Sequence, residues 1–155
     1  MKFIKNNSEI IVCDIGASPC DPTEHLEELL DNTKSFLYGF EPNEQEFNKL
    51  QITKKKKFFQ KAIGDGSEHI LNLCAYPGWT SFLEPDTEYI KKFHNFEEAS
   101  EIIKKISIKT EKLDNINFEQ KIDFFKIDAQ GFESIIIENG SKSISDALVV
   151  QLELS

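Results

Sequence analysis

The sequence predicts an α/β domain built on a doubly wound, mostly parallel sheet. Three observations carry that prediction. Short apolar runs end in an acid or a glycine turn, helix-capping pairs follow them, and the two alternate along the chain.

The elements follow in order. In "IIVCDIGASPCDP", 10–22, the run Ile10 to Cys13 reads as a strand covered on both faces, stopping at Asp14 with Gly16 behind it. Asp21, Pro22 and Glu24 spell a helix start: an N-cap, a proline at the first helical position and a capping-box acid. Leu26, Leu29 and Leu30 give that helix its apolar stripe. "SFLYGF", 35–40, is a second strand, and Asn43 with Glu46 forms the next capping pair. "FFQKAI", 58–63, is a third strand turned by Gly64-Asp65-Gly66. Strand, helix, strand, helix, strand implies parallel pairing through right-handed crossovers.

The middle is less regular. "ILNLCA", 70–75, reads as a short strand and "YPGWTSFLEPDT", 76–87, as a loop. Residues 93–105 read as a helix carrying Phe96, Ala99, Ile102 and Ile103, and 106–110 as a short alternating strand. Residues 76–105 are thus expected to be an inserted, lid-like segment. The rhythm returns with "IDFFKIDAQG", 122–131, as strand and turn, "FESIIIENG" as a helix stopped by Gly140, and "ALVVQLELS", 147–155, as a last strand.

Length and charge bound the function. A chain of 155 residues is one domain's worth. Its formal net charge of −9 disfavours phosphate backbones, so no nucleic-acid partner is expected. The one basic cluster, Lys54 to Lys57, reads as a solvated turn. No stretch approaches the roughly 20 apolar residues of a membrane span. "MKFIKNNSE" lacks the apolar region and cleavage site of a signal peptide. Cys13, Cys20 and Cys74 are too few and too scattered for a disulfide framework or a zinc site, so a cytoplasmic setting is expected.

Candidate chemistry lies at the strand ends, where a doubly wound sheet holds its ligand. Asp14 and Glu41 close the first two strands. An acid in the second position can accept hydrogen bonds from both hydroxyls of a ribose, and Gly16 lets the backbone approach a ligand. The loop is not built for a pyrophosphate. Ser18 and Cys20 stand where a dinucleotide fingerprint has glycines, Pro19 removes a donor, and Asp14 adds negative charge. A ribose-bearing cation without phosphate, S-adenosylmethionine, therefore suits the site better than a nicotinamide dinucleotide. The fourth core strand ends in Asp128-Ala129-Gln130-Gly131-Phe132-Glu133 at the same edge. Asp128 is the first candidate for a general base and Glu133 the second.

Plainer readings stand beside these. Asp-x-Gly after a strand is a common turn, and Glu41 and Glu133 can each simply charge the first turn of a helix. His25, His69 and His94 lie away from the motifs. Strand-end carboxylates such as Asp128, Glu133 and Glu153 do not suffice to assign a metal, and none is assigned. Trp79, Thr80 and Ser81 can contact an acceptor, or Trp79 can pack the insertion onto the sheet.

Together the segments resemble the FkbM-type family of S-adenosylmethionine-dependent methyltransferases. The matching pieces are "VCDIGAS" (12–18), "GFEPNEQEFNKL" (39–50), "KAIGDG" (61–66) and "IDFFKIDAQGFESIIIENG" (122–140). Weaker matches are "IKTEKLDNI" (108–116) and "LVVQLE" (148–153). The resemblance implies a Rossmann-like sheet of class I methyltransferase type, with strand order 3-2-1-4-5. It also implies O-methylation of a hydroxyl on a sugar or other small metabolite. It places Asp14, Gly16 and Ala17 in a methionine-side loop, Glu41 on the ribose, Ala62 and Ile63 beside the adenine, and Asp128 near the methionine end and the acceptor. Ser18 and Pro42 complete the expected cofactor-binding set. The chain departs from the family at Cys20, where many members have a second glycine. It also stops at Ser155, before the usual final helix and antiparallel strand pair, so a C-terminally shortened domain is expected. Residues 148–154 would then be an open apolar edge favouring a homodimer. The alternative function is a non-catalytic relative that binds a cofactor or a partner.

Overall fold

The computed structural model describes residues 9–20, 24–94 and 96–153. The chain begins with β1 (Ile10–Ile15), α1 (Glu24–Asn32), β2 (Ser35–Phe40), α2 (Glu44–Phe47) and β3 (Lys56–Phe59). It continues with β4 (Ala62–Ile63), β5 (Glu68–Cys74), α3 (Thr87–Ile90), α4 (Phe96–Ser100) and β6 (Ile102–Glu111). It closes with β7 (Phe124–Ile127), α5 (Glu133–Glu138), α6 (Ser141–Ser145) and β8 (Val149–Leu152). The expected Asp21-Pro22 helix start lies outside the described residues, as do Leu154 and Ser155 of the expected last strand.

Five strands form one parallel sheet in the order β3-β2-β1-β7-β8. The central strand shows why both faces must be covered. Ile11, Cys13 and Ile15 pack with Phe125, Ile127 and Ile136 on one side. Val12 packs with Leu26, Leu30 and Leu37 on the other, where α1 lies. A strand alternates its side chains between faces, so an unbroken apolar run needs cover on each.

The chain-order numbering 3-2-1-7-8 departs from the expected 3-2-1-4-5, because β4, β5 and β6 intervene. They form a separate three-stranded sheet in the order β4-β6-β5. The stretch 58–63 is accordingly not one strand. It breaks at Gln60-Lys61, where the Lys61 N–H donates to the Phe59 carbonyl at 2.9 Å, and its halves join different sheets.

The expected helix over 93–105 is also corrected. Among the described residues of that stretch only Phe96–Ser100 is helical, and Ile102 and Ile103 open the ten-residue β6. That strand pairs antiparallel with β5, Leu71 opposite Ile106. Isoleucines and threonine are stiff at χ1 and suit a pleated surface, and cross-strand pairing here overrides the helical spacing of a few apolar residues. Ile106, Ile108 and Thr110 turn inward while Ser107 and Lys109 face solvent.

Lys55 and Lys56 do more than solvate a turn. The Lys55 ammonium donates to the Leu30 carbonyl at 2.7 Å and Lys56 pairs with Glu27 at 2.6 Å, fastening β3 to α1. Gly140 separates α5 from α6, and a Cβ there would lie 2.6 Å from a Leu113 side-chain carbon. Among the described residues β8 is paired on one side only, and Leu148, Val149, Val150 and Leu152 are exposed along it. No helix among those residues is long and apolar enough to cross a membrane.

Candidate functional site

The carboxyl ends of β1, β2 and β7 meet at one edge of the sheet and open into a cleft of about 700 Å³, counted to its mouth. Its floor is Ile15, Gly16, Ser18 and Phe40, with Glu41 and Pro42 on one side and Asp128, Ala129 and Gln130 on the other. Lys61, Ala62 and Ile63 close one end, and the segment leaving β5 supplies Thr80, Ser81 and Phe82.

Gly16 holds φ +86°, and a Cβ on it would lie 1.8 Å from the Asp128 carbonyl oxygen. The close approach that this glycine permits is thus to the backbone after β7, rather than to a ligand. The Gly16 and Ala17 N–H groups both donate to the Phe40 carbonyl, each at 3.0 Å. Asp14 and Ala17 are buried and line a groove on the α1 side instead of the main cleft, while Ser18 borders both.

The register explains where Asp14 points. Asp14 stands directly opposite Lys126 on β7, and Asp128 is two residues further along the same chain. The Lys126 ammonium lies 3.3 Å from Asp14 Oδ1 and 3.3 Å from Asp128 Oδ2, with all three side chains buried. Asp14 Oδ1 receives no well-aligned hydrogen bond, only this ion pair. Burial raises the Asp14 pKa, and Lys126 offsets only part of that. Burial would lower the Lys126 pKa, but the two carboxylates outweigh it and the net displacement is upward. Sequence reasoning missed Lys126. The signal was present: a lysine inside a buried apolar strand, "FFKID", needs a carboxylate partner.

Glu41 is buried yet borders the cleft. Its Oε1 accepts the Asn43 N–H at 2.7 Å. The expected reciprocal pair of Asn43 and Glu46 is therefore half formed. The Asn43 side chain caps the Gln45 N–H at 3.0 Å, whereas Glu46 binds Lys49 at 2.6 Å. Burial pushes the Glu41 pKa up to about 7, the Asn43 N–H working against it and Glu46 and Asp14 adding to it.

The turn after β7 is strained and braced. Gln130 holds φ +50° and Gly131 φ +95°. Glu133 Oε1 accepts from the N–H groups of Ala129 at 2.8 Å and Gly131 at 3.2 Å, tying down that turn from a buried position that does not border the cleft. The Gln130 amide donates to Asp128 Oδ1 at 2.8 Å.

The segment leaving β5 touches both turns. The Tyr76 hydroxyl donates to the Cys20 carbonyl at 3.1 Å, and Ser81 Oγ donates to the Gln130 carbonyl at 2.6 Å. Trp79 lies in a neighbouring cleft, its ring 5.3 Å from that of Phe96. Lys61, the sole cation bordering the main cleft among the described residues, pairs with Glu111 at 2.7 Å. His25 and His69 lie away from the cleft, against Gln151 and Asp65. No group of three His, Cys, Asp or Glu residues among the described ones is placed to hold a metal ion.

The family model described as the methyltransferase FkbM domain matches residues 14–155. No curated protein and no solved structure matches the chain.

Replacing Lys126 by methionine strands two buried carboxylates. The variant is expected to lose about 3–5 kcal/mol of stability at neutral pH. Denaturant titration should show the deficit shrinking as the pH falls and the carboxylates take up protons. Glu41 gives a second pH signature. Its folded pKa, about 7, exceeds the ordinary value of 4.5, so the folded state binds the proton more tightly. Its contribution to stability is complete below 4.5 and is lost as the pH rises through about 7. The change is on the order of 3 kcal/mol, and Glu41→Gln should flatten that part of the stability–pH curve.

Proposed function

We propose that this chain, which belongs to the FkbM methyltransferase domain family, transfers a methyl group from S-adenosylmethionine to a hydroxyl of a small metabolite. Glu41 is the observation that carries this reading. A buried carboxylate at the end of the second sheet strand borders the cleft, with one oxygen held by a backbone N–H.

The donor set fits this cofactor. The buried Ala62 and Ile63 offer an apolar wall for an adenine. Among its described residues the first turn is not arranged for a pyrophosphate. The Gly16 and Ala17 N–H groups are already spent on Phe40, and Lys61 is engaged by Glu111. S-Adenosylmethionine would supply an electrophilic methyl group on a sulfonium.

The chain's own residues then have distinct tasks. Glu41, once ionised, accepts hydrogen bonds from the ribose hydroxyls. Pro42 and Ser18 line the same cleft and would contact the cofactor there. Asp128 takes the acceptor hydroxyl's proton. Lys126 and Gln130 orient that carboxylate through its two oxygens. Glu133 holds the turn that carries Asp128 in register. Thr80, Ser81 and Phe82, on the segment leaving β5, wall the cleft from the side of the smaller sheet.

Calorimetric titration with S-adenosylhomocysteine tests the cofactor assignment without an acceptor. Glu41→Ala should weaken its binding by about 1.5–3 kcal/mol; unchanged affinity refutes the ribose role. Asp128→Asn should keep that binding and lower turnover by about 100-fold or more. Full turnover in the variant removes Asp128 as the base. A wild-type protein that binds the product but turns over no acceptor is the non-catalytic relative.

The exposed side chains of β8 support pairing of two copies along Leu148 to Leu152. Sedimentation should show a concentration-dependent dimer that Val150→Lys weakens, and a monomer at all concentrations would refute it.

A further inference from the structure

A second cleft, about 1140 Å³ counted to its mouth, adjoins the first and shares Ser81 and Gln130 with it. The shared wall is well fixed. Ser81 Oγ donates to the Gln130 carbonyl at 2.6 Å and accepts the Leu83 N–H at 2.9 Å. Gln130 in turn reaches Asp128 Oδ1, so a molecule in this second cleft lies one residue's breadth from the candidate base.

Its lining has two properties that together select a ligand. The first is a run of rings. Trp79 meets Phe96 edge-on at 5.3 Å, Phe96 stacks on Phe93 at 5.8 Å, and Phe93 meets Tyr89 at 5.3 Å. Tyr89, Phe93 and Phe96 nonetheless remain 56%, 44% and 44% exposed. Rings held in mutual contact with their outer faces wet form a surface that a flat ligand ring can cover by offset or edge contact. The second property is charge. Glu84 and Asp86 are the charged side chains bordering this cleft among the described residues. Lys105, which pairs with Glu84, does not border it. A phosphate entering here would surrender its water and meet carboxylates.

We propose that this cleft is the acceptor site and that it takes an uncharged ring alcohol rather than a phosphorylated or nucleotide-linked one. The inference rests on the methyl-transfer reading of the adjoining cleft. It deepens that reading by naming what the acceptor must carry: a flat apolar ring face, a hydroxyl within reach of Asp128, and no anion.

Trp79 is the only tryptophan in the chain, so its emission reports on this cleft directly and without turnover. The probes are phenyl β-D-glucoside and its 6-phosphate, titrated into the whole chain, with S-adenosylhomocysteine titrated separately by calorimetry. The expected result is a saturable change in emission with the neutral glucoside and binding of the phosphate weaker by about tenfold or more. Phe93→Ala should weaken the glucoside while leaving S-adenosylhomocysteine affinity unchanged. Glu84→Lys should narrow the gap between the two probes. Equal or tighter binding of the phosphate overturns the proposal. So does the absence of any emission change from either probe in a protein that still binds S-adenosylhomocysteine. Saturable glucoside binding without S-adenosylhomocysteine binding supports the ring site and overturns the cofactor assignment instead.

Discussion

The Lys126 ammonium, buried between the carboxylates of Asp14 and Asp128, is the interaction on which the rest of the site depends. The two acids come from neighbouring strands, β1 and β7, and would repel each other in a poorly solvated place. A cation on the same pleat, directly opposite Asp14, lets both stay close to the cleft's floor. The parallel register supplies this placement. A slip of β7 by one residue would turn Lys126 and Asp128 to the other face together and leave Asp14 without its cation.

The smaller sheet completes the site from the other side. β5 and β6 form a long antiparallel pair, and the segment leaving β5 reaches back to both turns through Tyr76 and Ser81. A parallel sheet ordinarily presents an open crevice at its carboxyl edge. Here that crevice is divided. One compartment is bordered by Glu41 and Asp128 and the other by the aromatic rings between β5 and β6.

Much of this was legible in the sequence, for local reasons. Runs such as Ile10 to Cys13 and Ser35 to Phe40 read as buried strands and form them, with Glu41 just past the end of β2 and Asp14 one residue inside β1. The path of the middle was less legible. Ile102 and Ile103 share a helical spacing with Phe96 and Ala99, yet they pair with β5, because a distant strand's hydrogen bonds outweigh a weak local pattern. The site was legible as a set of acids but not as a network. That Lys126 reaches Asp14 depends on the pairing of β7 with β1, and that Glu133 takes the Ala129 and Gly131 N–H groups and Glu41 the Asn43 N–H depends on the path of each turn, which residue types alone do not fix. The capping pair Asn43 and Glu46 shows the limit: the spacing placed the helix start but not the partners.

The first turn carries a further consequence. Gly16 and Ala17 send their N–H groups to β2, the Asp128 N–H returns to Ile15 on β1, and Gly16 abuts the Asp128 carbonyl with no room for a methyl group. Three strands of the main sheet are thus stitched together at the rim of the cleft by backbone bonds. Amides bonded in this way are expected to exchange through opening of the sheet rather than of the turn alone. The floor of the site would then belong to the slowly exchanging part of the protein. Its preorganisation is inherited from the stability of the whole sheet and need not be assembled when a ligand arrives.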